Sequence, residues 1–506
     1  MTRIPLSFRL PLCLVPLLSL GLGIPCQAQP GEGDTSDAQR LVAALLGETP
    51  MVEDLRRLTD EVGGRPTGSA ANERAVEWAL ARFREIGVKT WKERFEMPEF
   101  WLEQESTAVV TGDGVRFAPR IVAAPFSTAT PAGGLEAPLV DGGHGTEEDF
   151  ARLGESARGA FVLIETDALT DVPGLFKEYG DHAVIEPRAF AAGVAGVIYQ
   201  GSRPRGVLHR HNAALGTDNT TPILALERTG AERAFRLLRH GKALTLTAKV
   251  ALQTGGAFPS DNVFAEIPGS EKPEEIVLIG AHLDSWGLGT GALDNGSNVC
   301  MLIDLARQIT RLGLKPRRTI RFALWNGEEQ GMVGSWKYTM AHADEMRHHV
   351  LAQSYDIGTG RIVGYFTNGR GAELVPVLAT ALTPVTGLGP FTFPDEPVVG
   401  TDNFDFMVHG VANLVALQES ANYGPHYHAD TDTFEQVDQH QLRLNAAIAA
   451  AVTYGFAQAD IPYGPQTATQ VRELVESTTL GDQMKTFLGI FDLWAKGERG
   501  LGADRP

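Results

Sequence analysis

Residues 275–312 read EIVLIGAHLDSWGLGTGALDNGSNVCMLIDLARQITRL. The run Glu275–Ala281 is continuously apolar after its first residue, which suits a strand buried on both faces. A Gly-rich loop, Gly287 to Asn295, follows it. Met301, Leu302, Leu305, Ile309 and Leu312 then recur on one helical face across Ser297–Leu312, and Gly313 is placed to stop that helix. Strand, loop and helix in this order form the repeating unit of an α/β sheet with crossovers.

The same unit recurs on both sides. Thr319–Trp325, His349–Tyr355, Ile362–Phe366 and Asn413–Gln418 read as further strands. Met332–Asp344, Ala372–Leu382 and Gln439–Ala457 read as helices. Upstream, helical spacing covers Asp54–Val62 and Ala71–Gly87, separated by the turn-rich loop Gly63-Gly64-Arg65-Pro66-Thr67-Gly68-Ser69. From Gln104 to Ala257 the texture changes to short β-rich pieces (Thr107–Thr111, Ala160–Glu165, Gly196–Gln200, Leu244–Leu252) between Gly/Pro loops. The expected fold is a three-layer α/β sandwich with a mostly parallel, doubly wound sheet, interrupted by a β-rich module. The expected divisions are 1–28, a leader; 29–103 and 258–462, the two parts of the sandwich; 104–257, the insertion; and 463–506, a helical extension.

The leader rests on Arg3 and Arg9, the apolar run Leu10 to Ile24, and small residues at Cys26-Gln27-Ala28, the layout of a secretory signal. Pro11 and Pro16 break that run, which is short for a bilayer span. Its removal leaves Cys300 as the one cysteine, so the exported chain forms no internal disulfide and its core supplies the stability. Forty-four Lys and Arg stand against 62 Asp and Glu, a net charge of -18 that disfavours nucleic acid as a partner.

Open α/β sheets gather ligands outside the carboxyl ends of their strands. His282-Leu283-Asp284 follows the first strand, and Asn326-Gly327-Glu328-Glu329 follows Thr319–Trp325. Asp356 follows His349–Tyr355, and Tyr427-His428 lies beyond Asn413–Gln418. Asp294 closes the Gly-rich loop. Imidazoles and carboxylates without thiolates suit zinc in an open, catalytic site. Five donors exceed the needs of one ion, so two Zn2+ per chain are expected: His282 and Asp356 on one, Glu329 and His428 on the other, Asp294 bridging. Glu328 is the candidate general base. The Asp284 carboxylate is placed to accept the second ring N–H of His282, and Tyr427 to donate to a developing oxyanion. His426, Asp430 and Asp432 compete with His428. His209-Arg210-His211 reads as a solvated loop, Asn219-Thr220-Thr221 as a glycosylation sequon, and Cys300 as a packing residue.

With these motifs in hand, AHLDSWGLGTGALDNGSN, LWNGEEQG, SYDIGTG and YHADTDT, in that order, resemble the co-catalytic zinc exopeptidases of metallopeptidase family 28, and within it the carboxypeptidase Q branch. The GGRPTGS loop and the GTDNFDF segment, Gly400–Phe406, share the likeness. The resemblance implies that the inserted module is a protease-associated (PA) domain. It also implies that the ligands are His282, Asp294, Glu329, Asp356 and His428, with Glu328 as base. His428 is preferred to His426 because it follows Tyr427 and sets Asp438 in register. The implied activity is hydrolysis of terminal peptide bonds in small peptides or dipeptides by an exported enzyme, secreted, periplasmic or lumenal. No stable membrane association is implied, and a homodimer is compatible. Two other readings stand beside it: a receptor-like binding protein, for which ligands should be missing, and a glutaminyl-cyclase-like acyl transferase, which should lack the inserted module.

Overall fold

The apolar run beginning at Glu275 becomes the central strand, Lys272–His282, of a seven-stranded sheet. A computed structural model describes residues 36–210, 220–487 and 489–502. The leader, His211 and Asn219 fall outside them. Across the sheet the order is Lys89–Met97, Phe258–Ile267, Arg318–Trp325, Lys272–His282, His349–Ser354, Asn413–Gln418, Ile362–Phe366. The middle four strands run parallel. The three outer pairings are antiparallel, so the sheet is less uniformly parallel than its sequence suggests.

The difference arises at the edge. Lys89–Met97 (KTWKERFEM) carries a charged residue at almost every second place, and Lys89 and Arg94 pair with Glu266 and Asp261 of its neighbour. A charged edge strand hides from a search for apolar runs, and the same charges keep it from pairing with another chain.

Both faces of the sheet are covered. Along Lys272–His282, Val277, Ile279 and Ala281 join one core, while Ile276 and Leu278 join another. Ile320, Phe322 and Leu324 alternate in the same way with Ala323 and Trp325. The two-residue strand period thus divides the apolar side chains between two helical layers. Ser297–Arg311, Ala70–Ile86 and Gln439–Gln458 pack on the first face. Each buried Leu or Ile contributes roughly 1.5–3 kcal/mol.

The second sheet has eight strands, all between Phe100 and Gly255, with a core of its own. It also carries helices that the sequence reading did not pick out, among them Val172–Ala192 and Arg228–Arg239. Both sheets lie within one compact unit that begins at Asp37. The C-terminal extension forms three short helices, Ala468–Ser477, Leu480–Thr486 and Ile490–Ala495, whose apolar faces meet Val399, Phe404 and Met407. Buried Arg499 fixes it there with a fork on the Asp405 carboxylate at 2.7 and 2.8 Å. Among the described residues no helix is long and apolar enough to cross a membrane.

Candidate metal centre

His282 is the last residue of its strand, Asp356 lies two residues beyond His349–Ser354, and Glu329 lies four beyond Arg318–Trp325. Asp294 stands in the turn ahead of Ser297–Arg311. His428 follows the short helix Tyr423–His426. Their donor atoms meet in two groups that share Asp294: His282, Asp294 and Asp356, and Asp294, Glu329 and His428. His282 Nε2 is 3.0 Å from Asp294 Oδ1 and 2.8 Å from Asp356 Oδ1. His428 Nε2 is 3.3 Å from Asp294 Oδ2 and 2.9 Å from Glu329 Oε2. One carboxylate therefore offers one oxygen to each group. His426 belongs to neither, and its Nδ1 meets Thr431 Oγ1 at 2.8 Å.

The donor set calls for a cation. His282 Nδ1 lies 3.0 Å from the Asp284 carbonyl, which can only accept, so Nδ1 carries the proton. In the neutral ring, the Nε2 lone pair then faces two carboxylate oxygens. A positive charge between them removes that repulsion. Burial would discharge His282, but Asp356 and Glu328 outweigh it and hold its pKa well above the imidazole range. Burial likewise opposes the charge on His428, and Glu329 and Asp294 push its pKa up to about 9. Glu329 Oε1 is buried without a hydrogen-bond partner. Protons hold this cluster together only by occupying the positions where a divalent ion fits.

Glu328 stands apart, with its nearer oxygen 4.0 Å from His282 Nε2. Burial, reinforced by Asp356, Asp402 and Glu329 against the pull of His282, raises its pKa well above that of an ordinary carboxyl. A cavity of about 160 Å³ opens onto Glu328, Asp294, Asp356 and His428. Leu175 and Phe176 of the second sheet's helix wall one side, and Phe366, Val398, Val399 and Val415 line another part. A larger cavity, about 730 Å³, lies beside Glu178 and His182 and reaches neither donor group.

Residues 262–453 match the description Peptidase family M28. Human carboxypeptidase Q is 27% identical over 407 residues, 79% of this chain and 84% of that protein. A peptidase M28 precursor from Shewanella amazonensis superposes with a TM-score of 0.76 at 26% identity, covering 85% of this chain and 98% of that one. A zinc aminopeptidase from Bacillus subtilis shares the fold, with a TM-score of 0.63 at 21% identity over 82% and 95% of the two chains.

Around the donor groups, the role expected of the Asp284 side chain is corrected. The backbone carbonyl of Asp284 takes the His282 N–H, while its carboxylate stays 3.6 Å from that nitrogen. The carboxylate turns instead to Thr67 Oγ1 at 2.8 Å and to the amides of Gly327 at 3.0 Å and Glu328 at 3.4 Å. One hydroxyl and two turn amides outcompete one ring nitrogen, so Asp284 fixes the turn that carries Glu328.

Two further positions escaped sequence reading. Arg65 is fully buried and donates to the carbonyls of Leu283, Thr290 (2.9 Å) and Gly291 (3.0 Å), clamping the loop that leads to Asp294. Next to it, a Cβ at Gly64 would lie 2.6 Å from the Gly289 carbonyl, so the close approach requires glycine. Asp432 was only a competitor for His428. Its carboxylate accepts the Leu293 amide at 2.7 Å and the Asp294 amide at 3.1 Å, holding the shared carboxylate's backbone. The YHADTDT pattern contains Asp432 but gives no sign of these long-range partners.

Tyr427 stacks on His428 with ring centroids 3.6 Å apart, and its hydroxyl is 2.7 Å from that of Tyr179. The expectation of a solvated His209-Arg210 is overturned: they are 2% and 5% exposed. Arg210 lies between Trp101 and Trp286, 5.2 and 5.4 Å from their centroids, and donates to Glu103. The charge is hidden because the second sheet closes over this loop, a contact that local composition does not reveal. Cys300 is buried and free.

Proposed function

We propose that this chain is a zinc-dependent exopeptidase that binds two Zn2+ and releases terminal residues from small peptides. The single observation that carries the reading is Asp294, with one oxygen in each of two donor groups, beside a raised-pKa Glu328 in neither. When bound, paired zinc ions would polarise the scissile carbonyl and acidify a water. Glu328 accepts the water's proton as oxygen adds to the carbonyl carbon. It then passes the proton to the amine nitrogen as the C–N bond breaks. Asp284, holding the Gly327 and Glu328 amides, keeps the base aimed into the cavity. The Tyr427 hydroxyl is the candidate donor to the carbonyl oxygen as it gains charge.

The cavity supports an apolar terminal side chain. Its lining holds neither Lys nor Arg to pair with a free carboxylate, which favours a free amine at the bound terminus. We read 104–257 as the inserted PA-type module and 1–28 as an export signal. The complete donor set argues against a recognition-only protein, and the module argues against an acyl transferase.

Metal analysis should find about two zinc ions per chain, and chelation should abolish hydrolysis until zinc is returned. Dipeptides with an apolar first residue should be cleaved, N-acetylation should stop cleavage, and C-amidation should be tolerated. Full activity in a metal-free preparation would reject the mechanism. Cleavage of N-acetylated but not C-amidated peptides would reverse the polarity.

A further inference from the structure

His428 sits at φ +56°, in the left-handed region, which costs a residue with a Cβ about 1–2 kcal/mol. Such a conformation persists when its surroundings over-determine it. Here much of the restraint comes from the loop 203–210 that follows the strand Gly196–Gln200 of the second sheet. The Tyr427 carbonyl accepts two N–H bonds from the Arg203 guanidinium, at 3.2 and 3.1 Å. The His428 carbonyl accepts the Arg210 amide at 2.8 Å. His209 and Ala429 form a β-bridge, and the Asp430 amide donates to the Leu208 carbonyl at 2.8 Å. The Asp430 carboxylate returns the contact, accepting the Leu208 amide at 3.2 Å and Arg120 at 2.6 Å.

The clamp is itself anchored. Arg203 is 1% exposed, and its remaining nitrogen reaches Glu178 at 3.2 Å and Ser202 Oγ at 2.6 Å. Glu178 also accepts from Ser202 at 2.6 Å and lies 3.4 Å from His209. The next residue of the helix, Tyr179, meets the Tyr427 hydroxyl. The apparatus therefore spans the loop 203–210 and the helix Val172–Ala192, both outside the segment that matches the family. Among the described residues His282 has no comparable support, being fixed by its own strand and the Asp284 carbonyl.

We propose that Arg203, anchored by Glu178 and continued by the segment to Arg210, is a positioning residue for His428, so that the inserted sheet completes the Asp294–Glu329–His428 donor group. The proposal rests on the metal reading given above. Arg203 lies outside both donor groups and the cavity lining; it holds the carbonyl beside the ligand, as outer partners of metal-binding histidines do.

The test is zinc binding by the metal-free full-length chain, measured by competition with a chromogenic chelator, for wild type, Arg203→Met, Arg203→Lys and Asp430→Ala. Circular dichroism and melting curves establish that each is folded. Arg203→Met is expected to bind one zinc equivalent ~10–100-fold more weakly, leaving the other near the wild-type value. Turnover at limiting zinc should fall and return when zinc is added, and Arg203→Lys should recover part of the affinity. Asp430→Ala, in a partly exposed pair, should show the same pattern more weakly. It decides the matter if Arg203→Met does not fold. Folded variants that bind both equivalents as tightly as wild type overturn the clamp and leave the metal reading standing. A wild-type chain that binds no zinc overturns both.

Discussion

The two halves of the candidate centre are built differently. His282 and Asp356 come from the ends of adjacent parallel strands, and the rim of the sheet alone brings them within 2.8 Å. Glu329 and His428 also meet, at 2.9 Å, but His428 rides on a loop that follows a four-residue helix and is held from a second sheet. The first half is a consequence of strand topology, which places successive strand ends side by side. The second depends on a tertiary contact formed by chain about 200 residues earlier in the sequence, as the Arg203 to Tyr427 separation of 224 shows.

Four changes would break or sharpen this contrast. Glu328→Gln belongs to neither half and should have the largest effect, ~10²–10⁴-fold lower kcat with zinc content unchanged; kcat near wild type would remove Glu328 as the base. Next, His428→Ala should lose one zinc equivalent by elemental analysis, while His426→Ala, whose ring meets Thr431 rather than the cluster, should keep both. Equal loss in the two variants would contradict the assignment of the second half. Trp286→Ala probes the junction: Trp286 is 5% exposed and packs edge-on against Trp101 at 6.4 Å within the second sheet's core. Truncation should cost ~3–5 kcal/mol in denaturant unfolding. The zinc equivalent held by His428 should weaken more than the one held by His282, and equal weakening would mean that the halves are not separately supported.

The smallest effect lies at the sheet's edge. His342 bonds to Glu345 and Glu93, which push its pKa up to about 9 from an ordinary 6.5. A raised folded-state value means that the charged ring stabilises fully below pH 6.5, and this is lost as pH climbs through about 9. His342→Gln should therefore lower Tm at pH 6 and lose its effect by pH 10, with hydrolysis unaffected. A Tm difference independent of pH would show that packing rather than charge is at stake.

Legibility in the sequence follows the same division. Gly196–Gln200, Ile362–Phe366 and Asn413–Gln418 have the observed strand bounds because each is short, apolar and flanked by turn residues. Lys89–Met97 shows no apolar run because its charged side chains suit an edge. The five donor residues are legible because imidazole and carboxylate after a strand are visible in one dimension. The roles of Arg65 and Asp432 are not, since a guanidinium on three carbonyls and a carboxylate on two amides leave no mark on local spacing. The Asp284 carboxylate was misassigned for a related reason. Two residues of separation from His282 fix proximity, while the choice between ring and turn depends on where Thr67 and Gly327 come to lie.

By itself, the order of residues determined an α/β sheet, the strand ends at its rim and the chemical types gathered there, because apolar periodicity and side-chain donors are local properties of the chain. Only the tertiary structure decided that Asp294 faces both groups, that His428 rather than His426 enters the cluster, and that Arg203 and Arg210 leave solvent to hold it. Those outcomes depend on backbone carbonyls and amides, which every residue carries alike and which acquire direction only when distant segments meet.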